Sequence, residues 1–180
     1  MRSRWWAGAA VLAVAAVVAG LVWFKPWALW VDDTVHEALP STTGTASSRA
    51  PGAAPSAAAT TLPTGPTTVA QGTFTSHEHT TTGTVKLIRL PDGSHTVRLE
   101  NLDTSNGPDL RVWLTDAPVK EGRAGWHVFD DGTHVSLGKL KGNKGDQNYA
   151  VPADVDLTDL ASVAIWCDRF NVSFGAAELA

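Results

Sequence analysis

The sequence predicts an all-β domain, an antiparallel β-sandwich-like fold, preceded by one N-terminal transmembrane helix and a disordered linker. Three observations lead to this prediction. Residues 5–24 carry no charge, and residues 41–70 consist mostly of Ser, Thr, Ala, Gly and Pro. Residues 71–180 contain short extended runs separated by turn residues at intervals of about ten positions, a spacing typical of sandwiches and barrels.

The uncharged run 5–24 is long enough to cross a membrane as a helix. Twenty residues with a rise of about 1.5 Å each extend about 30 Å, the thickness of a bilayer hydrocarbon core. Tryptophans lie at both ends of the run, as they do at membrane interfaces, and Arg2 and Arg4 precede it. Positive charge on a short N-terminal side predicts that this side is cytoplasmic. We therefore expect a single-pass protein of the cell membrane with an extracytoplasmic C-terminal part, and a cleaved signal peptide is the alternative.

This placement divides the chain into three parts. Residues 1–30 form a cytoplasmic stub and the transmembrane helix, residues 31–70 a juxtamembrane segment and a low-complexity linker, and residues 71–180 the extracytoplasmic domain. Apolar residues recur at helical spacing within 27–40, which favours a short interfacial helix. The linker, 41–70, has few large apolar side chains and is predicted to be a spacer that holds the domain off the membrane.

The strands of the domain are predicted from alternation and from the turns between them. Turn chemistry at 91–93 predicts a hairpin, and 106–109 contains a second turn. The longest candidate helix, 153–161, has at most three turns. The predicted extended runs are 72–90 (divided into two by Gly83), the second strand of the hairpin up to 102, 110–115, one or two strands within 134–152, 162–167 and 170–175.

The one cysteine of the sequence, Cys167, ends one of these runs. Residues two apart in a strand share a face, so Cys167 points the same way as Val163 and Ile165, whereas Trp166 points the other way. This parity predicts that the thiol is at least partly buried. A single cysteine cannot form an intramolecular disulfide, and outside the cytoplasm an unpaired thiol is open to oxidation.

Two interpretations of Cys167 follow. It is a redox thiol, with Trp166, Asp168, Arg169 and Asp109 as supporting residues, or it is a small apolar residue that fills the core. Positive charge on Arg169 would lower the pKa of the thiol, and negative charge on Asp168 would raise it. The sequence does not decide which side chain is nearer to the sulfur.

Other kinds of site have weaker signals. If 77–79 is extended, His77 and His79 project from one face and would provide two metal ligands, although an exposed polar face explains them as well. No clear motif indicates a cofactor, so haem or a metal remains an open expectation. The 14 Lys and Arg residues form no basic stripe, and the net charge is −4, which argues against nucleic-acid binding. No nucleophile elbow or phosphate-binding loop is present, so no enzyme class is predicted.

Five segments in this order carry a family resemblance: GTF (72–74), TTGTVKLIRLPDGSHTVRLENL (81–102), NGPDLRVWLT (106–115), LGKLKGNKGDQNYAVP (137–152) and VAIWCDRFNVSFGAAEL (163–179). Together they resemble the DM-thirteen domain family, also labelled the electron transfer DM domain. The resemblance implies a small extracytoplasmic β-sandwich, with Cys167 as part of the family pattern and a redox or electron-transfer role. The tryptophan-rich helix and the segment 25–40 resemble membrane-anchored bacterial members.

We therefore expect a membrane-tethered extracytoplasmic domain with a redox or electron-transfer role centred on Cys167 and with a redox partner protein. A single thiol needs a partner thiol, a metal or haem, or a one-electron route. The alternative is an extracytoplasmic binding module for a cell-wall, carbohydrate or protein partner. In that case Cys167 fills the core, and an exposed Trp113 or Trp126 would stack on the ligand.

Overall fold

The computed structural model of the protein describes residues 2–24, 31–40 and 65–180. Most of the predicted linker, 41–70, lies outside these residues, as does the first part of the predicted interfacial helix. The N-terminal helix α1 spans Arg2–Phe24, and its side chains are described over 11–23. Within the described part of the chain, no helix is both long and apolar enough to cross a membrane, and the predicted transmembrane helix is therefore not confirmed.

The C-terminal part is a sandwich of two five-stranded sheets, as predicted. In chain order the strands are β1 (Thr34–His36), β2 (Thr67–Thr73), β3 (Thr75–Ser76), β4 (Thr82–Arg89), β5 (His95–Asp103), β6 (Leu110–Thr115), β7 (His134–Lys139), β8 (Lys144–Ala150), β9 (Ser162–Cys167) and β10 (Val172–Glu178). The first sheet has the order β1-β8-β5-β4-β2 and the second β3-β10-β9-β6-β7. Neighbouring strands are antiparallel, except that β1 runs parallel to β8.

The main core lies between the two sheets and is made by the inward residues of each strand. It includes Val85, Val97, Leu99, Leu102, Leu110, Val112, Leu114, Val163, Ile165, Cys167, Val172 and Phe174. Each fully buried large aliphatic or aromatic side chain contributes roughly 1.5–3 kcal/mol to folding through the hydrophobic effect. The alternation seen in the sequence therefore identifies the inward face correctly.

A second, smaller core covers the outer face of the second sheet. Trp113, Ala164, Trp166 and Ala176 project outward from the strands, and Ala117 and Phe129 of the connection 116–133 pack over them. All six residues of β9 are buried for this reason. In a strand that is covered on both faces, the outward positions are apolar as well as the inward ones, which explains the continuous apolar run in this part of the sequence.

Several sequence expectations about local structure are wrong. Gly83 does not divide two strands: it lies inside β4 with φ +119°, where the register to β5 shifts, and a side chain there would meet the carbonyl oxygen of Glu100. Residues 153–161 form isolated turns instead of a helix. Asp156 accepts hydrogen bonds from both the backbone N–H and the hydroxyl of Thr158, a local turn that competes with helix formation.

A third such expectation concerns residues 31–40, which we call the strap. The strap is extended, and its central part forms β1 on the edge of β8, so no interfacial helix is present in its described residues. The β-structure after the linker also begins earlier than predicted, since β2 starts at Thr67 and pairs with β4. For the strap, the partner strand is more than 100 residues away in sequence, and this pairing overrides the weak local preference.

Candidate functional site

Cys167 is the last residue of β9, and its side chain is completely buried. It lies opposite Leu110 on β6 and opposite Val172 on β10, and all three belong to the main core. The predicted burial of the thiol is confirmed. The sulfur is therefore held in apolar surroundings at one end of the sandwich.

The surroundings of the sulfur act on its pKa in opposite directions. Burial raises the pKa of the Cys167 thiol, and the negative charge of Glu78 acts in the same direction. The backbone N–H groups of Phe170, Arg169 and Asp109 interact with the sulfur and lower the pKa by a smaller amount. The resting group is a neutral thiol. The three N–H groups nevertheless provide donors that would stabilise negative charge on the sulfur once it forms.

Two loops that are joined to each other by ion pairs cover this end of β9. The backbone N–H of Asp168 donates to the carbonyl oxygen of Asp109 at 3.0 Å. Arg111 joins the two carboxylates, with Nε 3.1 Å from Asp168 and Nη2 3.4 Å from Asp109, and Lys139 Nζ lies 3.5 Å from Asp109. Partly exposed pairs of this kind contribute about 0–1 kcal/mol each, so their main effect is to hold the loops in place over the thiol.

Trp166 supports the site from the opposite face of β9. Its ring stacks on Trp113 with centroids 4.8 Å apart, and Trp113 stacks in turn on His134 at 4.1 Å. Trp113 is buried and is therefore not the exposed stacking residue expected for a binding module. Trp126 is half-buried, and the guanidinium of Arg123 lies 5.2 Å from its ring centroid.

His77 and His79 lie in a bend after β3, so the extended conformation expected for 77–79 is wrong. His77 Nε2 donates to the carbonyl oxygen of Lys120 at 3.0 Å, and Nδ1 is 2.8 Å from the hydroxyl of Ser173, which donates to it in the neutral ring. Burial lowers the pKa of His77, which favours this neutral form. The ring of His79 lies against that of Phe174, with centroids 3.9 Å apart and the ring planes tilted by 33°. His77 thus joins the connection 116–133 to the second sheet.

Neither haem nor a metal fits the residues around the thiol. Among the residues that the structure describes, no group of three or more His, Cys, Asp or Glu side chains could hold a metal ion. The cavity beside the loops over Cys167 has a volume of about 150 Å³ and is lined by 106–110, 139–143 and Asp33. Pockets for organic ligands measure about 300–1,000 Å³. The lining and the volume of this cavity therefore do not fit haem.

Several residues at this site were missed in the sequence. Arg111 is two positions after Asp109 and could have been found by strand parity, since residues two apart share a face. Lys139 and Asp33 reach the site through pairings between distant segments, and no local pattern indicates them.

The fold and the site define a small β-sandwich domain with one buried thiol at a strand end, beneath ion-paired loops. The chain belongs to the family described as electron transfer DM13, whose model matches residues 73–179. The matched part contains most of the sandwich and includes Cys167, and it confirms the family resemblance found in the sequence. A search of curated proteins found no match, and a search of solved structures found none either.

The raised pKa of Cys167 predicts that stability falls at high pH. In the folded protein the thiol stays protonated above about pH 8.5, which is the pKa of the thiol in the unfolded chain. The stability that this group contributes is therefore complete below that pH and is lost as the pH rises. The slope is at most about 1.4 kcal/mol per pH unit. Urea unfolding of the wild type and of Cys167→Ala between about pH 7 and pH 10 measures it. As the pH rises, we expect the free energy of unfolding of the wild type to fall relative to that of Cys167→Ala. A difference between the two proteins that stays constant with pH would contradict this.

Proposed function

We propose that the protein is a membrane-tethered extracytoplasmic redox protein whose reacting group is the thiol of Cys167. Membership of the electron transfer DM13 family supports a redox or electron-transfer role. The observation that carries the assignment to this residue is its position: Cys167 is the one cysteine of the sequence, and it lies buried at the end of β9 beneath the ion-paired loops.

The chemistry that suits a single thiol is exchange with a disulfide of a partner protein. Cys167 loses its proton to solvent, its thiolate attacks one sulfur of the partner disulfide, and the second partner sulfur leaves as a thiolate. The product is a mixed disulfide between the two proteins. Because the chain has one cysteine, a further thiol of the partner, other than the one that left, must attack the partner sulfur of the mixed disulfide. A new disulfide then joins a different pair of partner cysteines, and Cys167 leaves as a thiolate that regains a proton from solvent.

The raised pKa and the burial of the sulfur mean that this exchange requires the covering loops to open. The N–H groups would then favour the thiolate during the attack, because they donate to negative charge on the sulfur. Burial in the closed state protects the thiol from irreversible oxidation, since susceptibility to oxidants follows thiolate character and exposure.

The membrane placement is supported by the sequence. The uncharged run 5–24, with Trp at both ends and Arg2 and Arg4 before it, provides the anchor, and the cytoplasmic N-terminus places the sandwich outside the cytoplasm. Carbonate extraction of membranes from cells that produce the full chain tests the anchor. The chain is expected in the membrane pellet, and recovery in the supernatant would remove the tether from the proposal.

The redox assignment is tested by equilibrating the folded full chain with glutathione disulfide and measuring its mass. We expect one glutathione to be added, to be released by dithiothreitol, and to be absent in Cys167→Ser. A folded chain that stays unmodified after long equilibration, while the same chain in urea is modified, would show that the thiol is inert in the native state.

A further inference from the structure

The strap is docked on the sandwich although 26 residues, 41–66, lie between it and β2. It adds a parallel strand to the edge of β8 through the pairs Thr34 with Lys144 and His36 with Asp146. Backbone hydrogen bonds continue beyond the pairs, with Glu37 donating to Asp146 at 2.9 Å. An extended segment that completes a sheet edge is a recurrent mode of peptide recognition.

The edge of β8 is shaped to receive this backbone. A Cβ atom at Gly142 would overlap the carbonyl oxygen of Asp33, and one at Gly145 would overlap that of Val35. Gly145 also has φ +95°, a conformation that residues with side chains rarely adopt. Two glycines therefore clear the space that the strap occupies.

Two lysines of the sandwich favour acidic residues at two positions of the strap. Both carboxylate oxygens of Glu37 accept hydrogen bonds from Lys141 Nζ, at 2.7 and 2.9 Å, and one also accepts from the backbone N–H of Asn148 at 2.8 Å. Asp32 lies 3.2 Å from Lys144 Nζ. The hydrogen bond from Lys141 is the main cause that lowers the pKa of Glu37. The surface thus fits an extended segment with an acid near each end.

The strap is held mainly by polar contacts at the surface. All of its residues are exposed or half-buried, and its charged pairs are partly exposed. Exposed pairs contribute about 0–1 kcal/mol each and weaken as salt screens them. The strap can therefore leave its site at a much lower free-energy cost than a core strand.

Asn143 connects the strap to the loop that covers the thiol. Its side chain is buried, its Oδ1 accepts from the backbone N–H of Asp33 at 2.7 Å, and its Nδ2 donates to Asp32 and to the carbonyl oxygen of Thr104, both at 2.9 Å. The backbone N–H of Thr104 donates back to Asn143 at 3.0 Å. A single side chain thus joins the strap to the beginning of the loop.

A second contact lies further along the same loop. Asn106 Nδ2 donates to the carbonyl oxygen of Val31 at 3.2 Å. Three residues later, the carbonyl oxygen of Asp109 accepts a hydrogen bond at 3.0 Å from the backbone N–H of Asp168, the residue that follows Cys167. The strap and the cover of the thiol therefore share one continuous set of contacts.

We propose that the edge of β8 is an acceptor site for an extended acidic strand, that the strap occupies it within the same chain, and that its release opens the loop over Cys167. The ligand class is an extended peptide with carboxylates spaced as Asp32 and Glu37 are. The inference concerns access to the sulfur and holds whether or not the thiol exchanges with a partner disulfide.

The test uses the full chain with the double substitution Asp32→Asn/Glu37→Gln, and it measures the rate at which N-ethylmaleimide labels the folded protein. We expect labelling about tenfold faster than in the wild type, because the charged contacts of the strap are lost. The matched control is Asp154→Asn/Asp159→Asn, which changes the net charge equally at two exposed positions and keeps the wild-type rate.

A peptide with the sequence of residues 31–40 distinguishes release of the strap from general destabilisation. Added to the double variant, it is expected to restore slow labelling, whereas a peptide with Asn and Gln at the two acidic positions does not. Adding Gly145→Val to the double variant removes the effect of the peptide. Unchanged labelling in the double variant, equal acceleration in the control, or no restoration by the peptide would each overturn the inference.

Discussion

Replacement of Trp166 with alanine is expected to lower the free energy of unfolding by about 3–5 kcal/mol. The side chain is 1% exposed, stacks on Trp113 and lies under the connection 116–133, where Phe129 is also fully buried. Removal of the ring leaves a cavity between the second sheet and its cover, and the covering segment also loses contact area. Urea unfolding of the full chain, followed by circular dichroism, measures the change.

Two further variants make this result specific. Trp166→Phe keeps an aromatic ring at the position and should lose less stability than the alanine variant. Phe170→Ala removes an aromatic side chain only four residues later that is 61% exposed, and its effect should stay within about 0.5 kcal/mol. If Trp166→Ala were as mild as Phe170→Ala, the second core would contribute little to stability.

The thiol of Cys167 is expected to react with N-ethylmaleimide at least about 10³-fold more slowly in the folded protein than in urea. The side chain has no exposed surface, and burial raises its pKa, so both access and thiolate content are low in the native state. Labelling must then proceed through opening, whose population is set by a free energy of several kcal/mol. Mass spectrometry of timed samples measures both rates.

An exposed thiol provides the control for this measurement. Val69 lies on β2 with 49% of its surface exposed, and Val69→Cys in a Cys167→Ser background should label at similar rates in the folded and unfolded chain. Rapid labelling of native Cys167, close to the rate of this control, would mean that the loops over the sulfur are open most of the time.

The main strands could be predicted from the sequence because their signal is local. The alternation of Val163, Ile165 and Cys167 against Ala164 and Trp166 depends only on the two-residue period of a strand, and the two cores confirm it. The hairpin turn between β4 and β5 is predictable for a similar reason. Gly93 supplies the positive φ that the turn needs, and Leu90 and Ser94 close it with a backbone hydrogen bond.

The errors arise where a distant partner decides the structure. The strap is extended because β8, more than 100 residues later, offers it a hydrogen-bonding edge, and no pattern within 31–40 encodes that partner. Gly83 looks like a strand end in the sequence, but the paired strand β5 continues past it and absorbs the irregularity as a shift in register.

The same distinction applies to the candidate site. Cys167 was identified because it is the one cysteine of the chain and has a readable strand parity. Its burial follows from that parity, but the contacts that cover this end of β9 join the turn after β9 to the loop before β6. Asn143, which joins that loop to the strap, belongs to a third segment, and only the folded chain brings the three together.

Because the strap is docked on the sandwich, the length of 41–66 does not set the distance between the sandwich and α1. Both ends of that segment are fixed to the sandwich, by β1 on one side and β2 on the other, so the segment closes a ring and does not separate the sandwich from α1. The separation is set by the residues between Phe24 and Val31, which span roughly 25 Å at most. Changes in the length of 41–66 therefore leave the reach between Phe24 and Val31 unchanged, and the entropy of loop closure grows only slowly with length, by about 0.6 kcal/mol for a doubling.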